Sequence, residues 1–195
     1  IKKEMNILSD KELFKNTEEI KTTLKHMSLT INDFRDFFKP NKTKNIFDVS
    51  QALKEAIGLI NPRLYKNAIS CNIKNNVNTE IKNFENEFKN VVVNILNNSI
   101  DAFESRSIEK KLIDIIISYN KKTKEIKIEF IDNAGGIKEE ILESLFKPYV
   151  TTKDNLNGSG LGLYMSKIII EQNMNGSIKA SSKGNKAIFT ILLKK

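Results

Sequence analysis

The chain has 195 residues, 32 basic against 24 acidic, for a formal net charge of +8, and 39% of its positions are hydrophobic. That length buries one ordinary core without disulfides or metals, and 29% charged residues with 8 Gly and 3 Pro exclude collagen-like and Pro/Gly-rich disordered chains. No apolar run approaches the roughly 18 residues that span a bilayer, and the lone Cys71 excludes an intramolecular disulfide, a cysteine zinc cluster and a Cys-based redox pair.

The sequence opens at Ile1 without an initiator Met, a basic n-region or an apolar h-region, and so reads as a piece of a longer protein. Only Arg35, Arg63 and Arg106 are arginines, and the lysines are dispersed among Glu, Asp and Asn. The positive balance therefore reads as a solvated, Lys-rich surface rather than a nucleic-acid-binding face.

In the first forty residues Leu13, Ile20, Leu24, Met27, Ile31, Phe34 and Phe38 form a narrow seam at helical spacing. Ser9 with Glu12 makes a capping box and Lys39-Pro40 a stop, so one helix of about 28 residues, about 42 Å long, is expected. Such a stripe needs a helical partner, either a second copy or a helix outside this chain. Residues 41–47 read as a polar linker. Val49, Leu53, Ile57 and Ile60 then predict a second helix over Val49 to Leu64, with Asp48 or Ser50 as its cap. Ile69, Cys71 and Ile73 alternate like a short strand, and Phe84 to Phe103 returns to helical period. Leu112 to Tyr119 and Glu125 to Ile131 form a predicted hairpin, followed by a short helix over Glu139 to Phe146 and an ambiguous polar stretch over Lys147 to Gly160. A helix from Gly160 or Leu161 to about Asn173 and a second hairpin, Ser177 to Ser181 with Lys186 to Leu193, complete the order. That order lacks regular βαβ alternation and predicts an α+β architecture: a mixed, mostly antiparallel sheet covered by helices on one face, preceded by one long helix.

Three elements carry chemistry. Gly158-Ser159-Gly160-Leu161-Gly162 precedes a predicted helix; residues without Cβ let backbone N–H groups approach phosphate oxygens, and the helix adds a positive dipole end. The spacing fits neither the dinucleotide-binding fingerprint nor a Walker A loop, and taken alone it is also an ordinary turn pattern. Asp132-Asn133-Ala134-Gly135-Gly136-Ile137 lies where a strand ends. There a carboxylate can accept a hydrogen bond from an exocyclic amine such as adenine's, and small neighbours leave room for a flat base, although a plain strand-ending turn has the same composition. On the third helix Asn94 and Asn98 are four apart, with Asp101 three further on, and project from one face. Asn inside an apolar helix competes for backbone hydrogen bonds; an amide oxygen ligating a magnesium that bridges phosphates would account for it.

In combination Asn94 to Ala102, Asp132 to Gly136, Phe146-Lys147-Pro148-Tyr149 with Thr151-Thr152-Lys153, and Gly158 to Leu163 resemble, in order and spacing, the N, G1, F and G2 boxes of the histidine-kinase catalytic domain. The resemblance covers about Phe47 to Lys195. It implies the Bergerat ATP-binding fold, a two-layer α/β sandwich shared with gyrase, the large heat-shock chaperones and mismatch-repair MutL, here over residues 48–195. It implies ATP and Mg²⁺ as ligands, with Asp132 on the adenine amine, Asn98 on the metal, Asn94 beside the phosphates and Gly158, Gly160 and Gly162 shaping the phosphate end. Phe146 would pack a lid running from about Ile137 to Ser159, with Lys153 a phosphate contact. Asp101, Gly136, Ile137, Thr152, Ser159, Leu161 and Leu163 complete the nucleotide-contacting set. Ala134 departs from the family's first Gly and is expected to restrict backbone angles, and Gly184-Asn185-Lys186 lacks the family's Gly-Thr pairing, so no ligand contact is assigned there.

Ile31-Asn32-Asp33-Phe34-Arg35-Asp36-Phe37-Phe38-Lys39-Pro40 likewise resembles the end of the second helix of a dimerisation and phosphotransfer hairpin, placing residues 1–40 in that element. The phosphoacceptor of such hairpins sits in a His-Glu/Asp motif, which His26 in Lys25-His26-Met27-Ser28 lacks. The resemblance therefore implies a protein-histidine kinase fragment without its acceptor: ATP-Mg²⁺ binds, the γ-phosphoryl passes to a histidine outside the chain and then to a response-regulator aspartate. The intact protein would be a homodimer with no direct nucleic-acid partner. This part would be cytoplasmic, with room for an inner-membrane sensor in the parent. Two alternatives stand beside it, a gyrase- or MutL-type ATPase and a non-catalytic nucleotide-dependent regulatory module. The first would need a Glu where Asn94 stands, to activate water.

Overall fold

A computed structural model describes residues 16–18, 20–21, 43–151 and 160–195. Of the long seam expected over residues 1–40, only the helical stretches 16–18 and 20–21 fall within it; the seam's remaining positions, and His26, lie outside the described residues.

Residues 43–195 follow the order β1 (Asn45–Asp48), α1 (Val49–Lys66), β2 (Ile69–Asn75), β3 (Glu80–Asn83), α2 (Glu85–Glu104), β4 (Lys111–Asn120), β5 (Glu125–Asp132), α3 (Glu139–Leu142), α4 (Gly162–Ile168), a π-helical turn (Ile169–Asn173), β6 (Ser177–Lys183) and β7 (Lys186–Lys194). Five strands form one sheet in the order β2-β4-β5-β7-β6. The β2–β4 pair is parallel and every other pair antiparallel, so the expected mixed, mostly antiparallel sheet is present. A parallel pair needs a long crossover; α2 provides it, and this fixes α2 across the sheet.

Alternation decides which face is covered. Ile113, Ile115 and Ile117 of β4, Ile126, Ile128 and Phe130 of β5, and Phe189, Ile191 and Leu193 of β7 point to the helices and are buried. Asp114, Lys127, Glu129 and Thr190 occupy the intervening positions on the opposite face. The helices answer at their own period: Leu53, Ala56, Ile60 and Leu64 of α1 and Phe88, Val91, Val92, Ile95, Leu96, Ile100 and Phe103 of α2 are buried over the sheet. Helices on one face and an open second face make two layers, the α+β sandwich the motifs implied.

Asp48 caps α1 by accepting from the Gln51 N–H at 2.7 Å. Pro62 does not end α1, because the carbonyl it leaves unpaired is that of exposed Gly58, which can turn to water. Three boundaries differ from the sequence reading. Residues 45–47, expected as linker, belong to β1, which pairs antiparallel with β3 and seats Phe47 and Ile81 in the core. These strands have four residues each, too short to show a period. The helix expected over Glu139 to Phe146 closes at Leu142 and continues as turns, with Lys147 N–H bonded to Ser144 O at 2.8 Å. The helix expected to reach Asn173 widens after Ile168, where Met174 N–H reaches Ile169 O, five residues back, at 3.0 Å.

Candidate nucleotide-binding site

The site is built where the end of β5 meets the middle of α2. Asp132, the last residue of β5, points inward in phase with Ile126, Ile128 and Phe130 and is only 3% exposed. A buried carboxylate needs donors. Ser99 of α2 donates its hydroxyl to Asp132 Oδ2 at 2.8 Å, and the Ala134 N–H donates to Oδ1 at 3.0 Å. Burial pushes the Asp132 pKa up from the ordinary carboxylate value, while Ser99, the Ala134 N–H and the Arg106 charge pull in the other direction. The result is an acceptor held in a dry, fixed orientation.

The loop after Asp132 is fastened on three sides. Asn133 locks it to the start of β4: its Oδ1 accepts from Leu112 N–H at 2.9 Å and its Nδ2 donates to Lys110 O at 2.8 Å. Gly135 N–H donates to Asn185 O at 3.0 Å, and Ile137 N–H donates to Ser182 Oγ at 3.0 Å. The β6–β7 turn, which carries the unconventional Gly184-Asn185-Lys186, thus braces this loop. The left-handed backbone falls at Gly135 (φ +106°) and Gly136 (φ +73°), where a Cβ on Gly136 would stand 2.5 Å from Ser182 Oγ. Ala134 is not among the left-handed residues and packs 1% exposed, so it replaces glycine where no glycine conformation is required. The expected cost of Ala134 is absent.

Asn94 and Asn98 rise from the half-exposed flank of α2. Asn94 Nδ2 donates to Ser166 Oγ of α4 at 2.9 Å, and Ser166 donates to Gly162 O at 3.0 Å. A Cβ at Gly162 would lie 2.4 Å from Asn94 Oδ1. Glycine at the start of α4 thus leaves the space that the Asn94 amide fills. The Asn98 side chain makes no hydrogen bond to any described residue, which leaves its amide available. The Arg63 guanidinium of α1 engages the Asp101 carboxylate and also donates to Glu104 at 2.8 Å and Asn97 at 3.0 Å. Asp101 is turned to the α1–α2 seam, because Arg63 offers it a charge-assisted partner there.

Phe146 is half-buried against the core, with Lys167 Nζ of α4 5.8 Å from its ring centre. Tyr149 N–H donates to Gly160 O at 3.1 Å and pinches the intervening segment at its neck. Gly160 has φ +64°, and a Cβ there would lie 2.6 Å from the Tyr149 carbonyl carbon, so the close approach at Gly160 is to Tyr149. Leu161 immediately precedes α4 and Leu163 packs on the core. The candidates Thr152, Lys153, Gly158 and Ser159 lie outside the described residues.

The structure thus gathers Asn94, Asn98, Asp132, Gly136, Ile137, Phe146, Gly160, Leu161, Gly162 and Leu163 around the β5 end, the α2 flank and the α4 start. Sequence reasoning did not assign roles to Ser99, Arg106, Ser166 and Ser182. Ser99 had a legible signal, a polar residue at a buried phase of α2; Ser182 lies far along the chain and shows itself only through sheet topology.

These features define a nucleotide-binding class, and the family described as "Histidine kinase-, DNA gyrase B-, and HSP90-like ATPase" matches residues 83–195. The chain belongs to that family. Among relatives, the two-component sensor PprA of Pseudomonas aeruginosa is 28% identical over 149 residues, 75% of this chain and 16% of that one. Sporulation kinase C of Bacillus subtilis is 27% identical over 174 residues, 87% of this chain and 39% of its own. The chain thus spans well under half the length of these relatives. The catalytic domain of histidine kinase ThkA superposes with a TM-score of 0.68 at 24% identity, covering 79% of this chain and 97% of that one. ThkA in complex with response regulator protein TrrA superposes at 0.72 with 20% identity, covering 98% and 53% respectively. Within the family, the fold is that of the histidine-kinase ATP-binding catalytic domains.

Proposed function

We propose that this chain is the ATP-binding catalytic part of a two-component sensor histidine kinase, delivering the γ-phosphoryl of ATP to a histidine on a partner helix for relay to a response-regulator aspartate. The observation that carries the reading is Asp132: a 3% exposed carboxylate at a strand end, its two oxygens already aligned by Ser99 and the Ala134 N–H. Such a group recognises a donor on a flat ligand edge, which adenine's exocyclic amine supplies. The phosphates then extend towards Asn94, Asn98 and the start of α4. Residues 1–40 contribute the second helix of the dimerisation hairpin, in a homodimer whose parent chain can carry a membrane-bound sensor.

Magnesium fits the donor set: Asn98 would offer one hard amide oxygen, and the ion would take its remaining ligands from phosphates and water. Bound there, it would neutralise phosphate charge during transfer. The protein's own work is alignment, since phosphoryl transfer asks little covalent chemistry of it. A hydrolytic reading is disfavoured by Asn94, whose amide is committed to Ser166 and has no basic oxygen to activate water.

The test is transfer in trans. Incubated with γ-³²P-ATP, the chain alone should remain unlabelled, and addition of a polypeptide carrying a His-Glu or His-Asp acceptor helix from a sensor-kinase hairpin should produce acid-labile label on that helix. Efficient self-labelling at His26, or steady phosphate release without an acceptor, would overturn the reading.

A further inference from the structure

Arg106 stands two residues past α2, outside every motif. Its backbone is fixed by the helix end, with its N–H bonded to Phe103 O at 3.3 Å. Its guanidinium turns back over the end of β5. There Nη1 donates to Ala134 O and lies 3.5 Å from Gly136 O, at the limit of hydrogen bonding. Among the described residues Arg106 makes no ion pair, so these carbonyls are where its donors go.

The loop after Asp132 shows why this matters. Three of its N–H groups are taken by the fold: Ala134 by Asp132, Gly135 by Asn185 and Ile137 by Ser182. Its carbonyls at 134 and 136 both face Arg106 Nη1, the first hydrogen-bonded and the second at the outer limit of a bond. The loop's composition matches the arrangement. A Cβ on Gly135 would sit 2.4 Å from Arg106 Nη1 and 3.2 Å from Cζ, so the side chain occupies the space that this glycine leaves open. Gly135 is therefore tied to Arg106 as well as to its φ of +106°.

We propose that Arg106 is a positioning residue for recognition of the base: by drawing the 134 and 136 carbonyls together it sets the path of the loop along which the adenine ring lies and keeps the Asp132 acceptor presented to the ring's amine. This deepens the nucleotide-site reading and rests on it. The cationic charge acts in the same sense, favouring the ionised form of Asp132 that an amine donor requires. Arg106 touches neither the phosphates nor the metal position in this account. Its effect falls on affinity for the nucleotide, not on transfer from bound nucleotide.

The experiment titrates Mg-ADP calorimetrically into the full chain, into Arg106→Met and into Arg106→Lys, with the thermal midpoint of each ligand-free protein measured alongside. Met keeps the aliphatic stem and removes charge and donors; Lys restores the charge and a rotatable donor. The expected result is about a tenfold loss of affinity in Arg106→Met, recovery to within about threefold of the parent in Arg106→Lys, and ligand-free midpoints within about 2 °C of one another. Equal affinity of the parent and Arg106→Met would overturn the proposal. So would Arg106→Lys binding as weakly as Arg106→Met, or a loss of binding accompanied by a large fall in midpoint. If the parent chain itself fails to bind Mg-ADP, the nucleotide-site reading fails instead.

Discussion

The two ends of the site are held by different means. At the proposed base end, around Asp132, the carboxylate has two donors, and the loop after it is fastened to β4, to the β6–β7 turn and to Arg106. At the phosphate end, one amide–hydroxyl bond from Asn94 to Ser166 joins α2 to α4, one backbone bond closes the Tyr149–Gly160 neck, and Asn98 is unpartnered among the described residues. The contrast separates what the protein must have ready from what the ligand completes. A base is recognised by fixed geometry, and fixed geometry is built into the core. Phosphates and a cation bring their own charge, and in the proposed binding mode groups such as the Asn98 amide are left available for them.

The largest expected effect comes from breaking the base end. Asp132→Asn should weaken ATP binding about 100-fold, the scale of a charge-assisted hydrogen bond of roughly 2–3 kcal/mol. The same change should leave the ligand-free protein as stable or more stable at neutral pH. The Asn carbonyl can keep the Ala134 N–H, and its amide can donate to Ser99, whose hydroxyl then points at Ile95 O, 3.5 Å away. Because burial raises the Asp132 pKa, the folded state holds its proton more tightly than the unfolded chain. The associated stability is present at low pH and is lost as pH rises through the folded-state pKa. Calorimetric midpoints of parent and Asp132→Asn, compared across mildly acidic to neutral pH, should therefore move apart in favour of the variant as pH rises.

The phosphate end breaks at Gly162. Gly162→Ala places a methyl 2.4 Å from Asn94 Oδ1, which must swing away and give up Ser166. Affinity for Mg-ATP should fall about 30-fold, and the loss should be greater for ATP than for adenosine, which has no phosphates to misplace. Asn98→Ala should lower Mg-ATP affinity about tenfold while leaving metal-free nucleotide binding nearly unchanged. An equal loss with and without Mg²⁺ would remove Asn98 from the metal position.

Ser99→Ala sharpens the comparison from within. It deprives Asp132 of one donor, so the carboxylate pKa should rise further and nucleotide binding should fail at a higher pH than in the parent when the solution is acidified. The smallest effect is expected at Asp101. Asp101→Asn should cost about 1 kcal/mol or less of stability, since Arg63 is 36% and Asp101 22% exposed and solvent screens the pair. Nucleotide affinity should not change. A clear loss of affinity would return Asp101 to the site.

How much of this was written in local sequence follows from the same contrast. The long helices α1 and α2 and the two hairpins were legible because their periods run over seven or more residues, and Asp132, Asn94 and Asn98 stood out as candidates because their chemistry is out of place in an apolar helix or at a strand end. Strands β1 and β3 were not, because four residues carry no period and their pairing joins positions more than thirty residues apart. The ion pair of Asp101 was not legible for a related reason: helical spacing places it with Asn94 and Asn98, and its partner Arg63 stands on another helix. Ser182 and Asn185 escaped because their role appears only once β6 and β7 are seen beside the loop they brace. Ala134 shows the converse, a departure from the family pattern that the backbone makes harmless.

The most direct measurement is the affinity of Mg-ATP for the parent chain and for Asp132→Asn, with the ligand-free melting of both recorded under the same conditions. The account requires tight, measurable binding by the parent, about a 100-fold loss in the variant, and a variant at least as stable as the parent. Equal affinities in two well-folded proteins would contradict it.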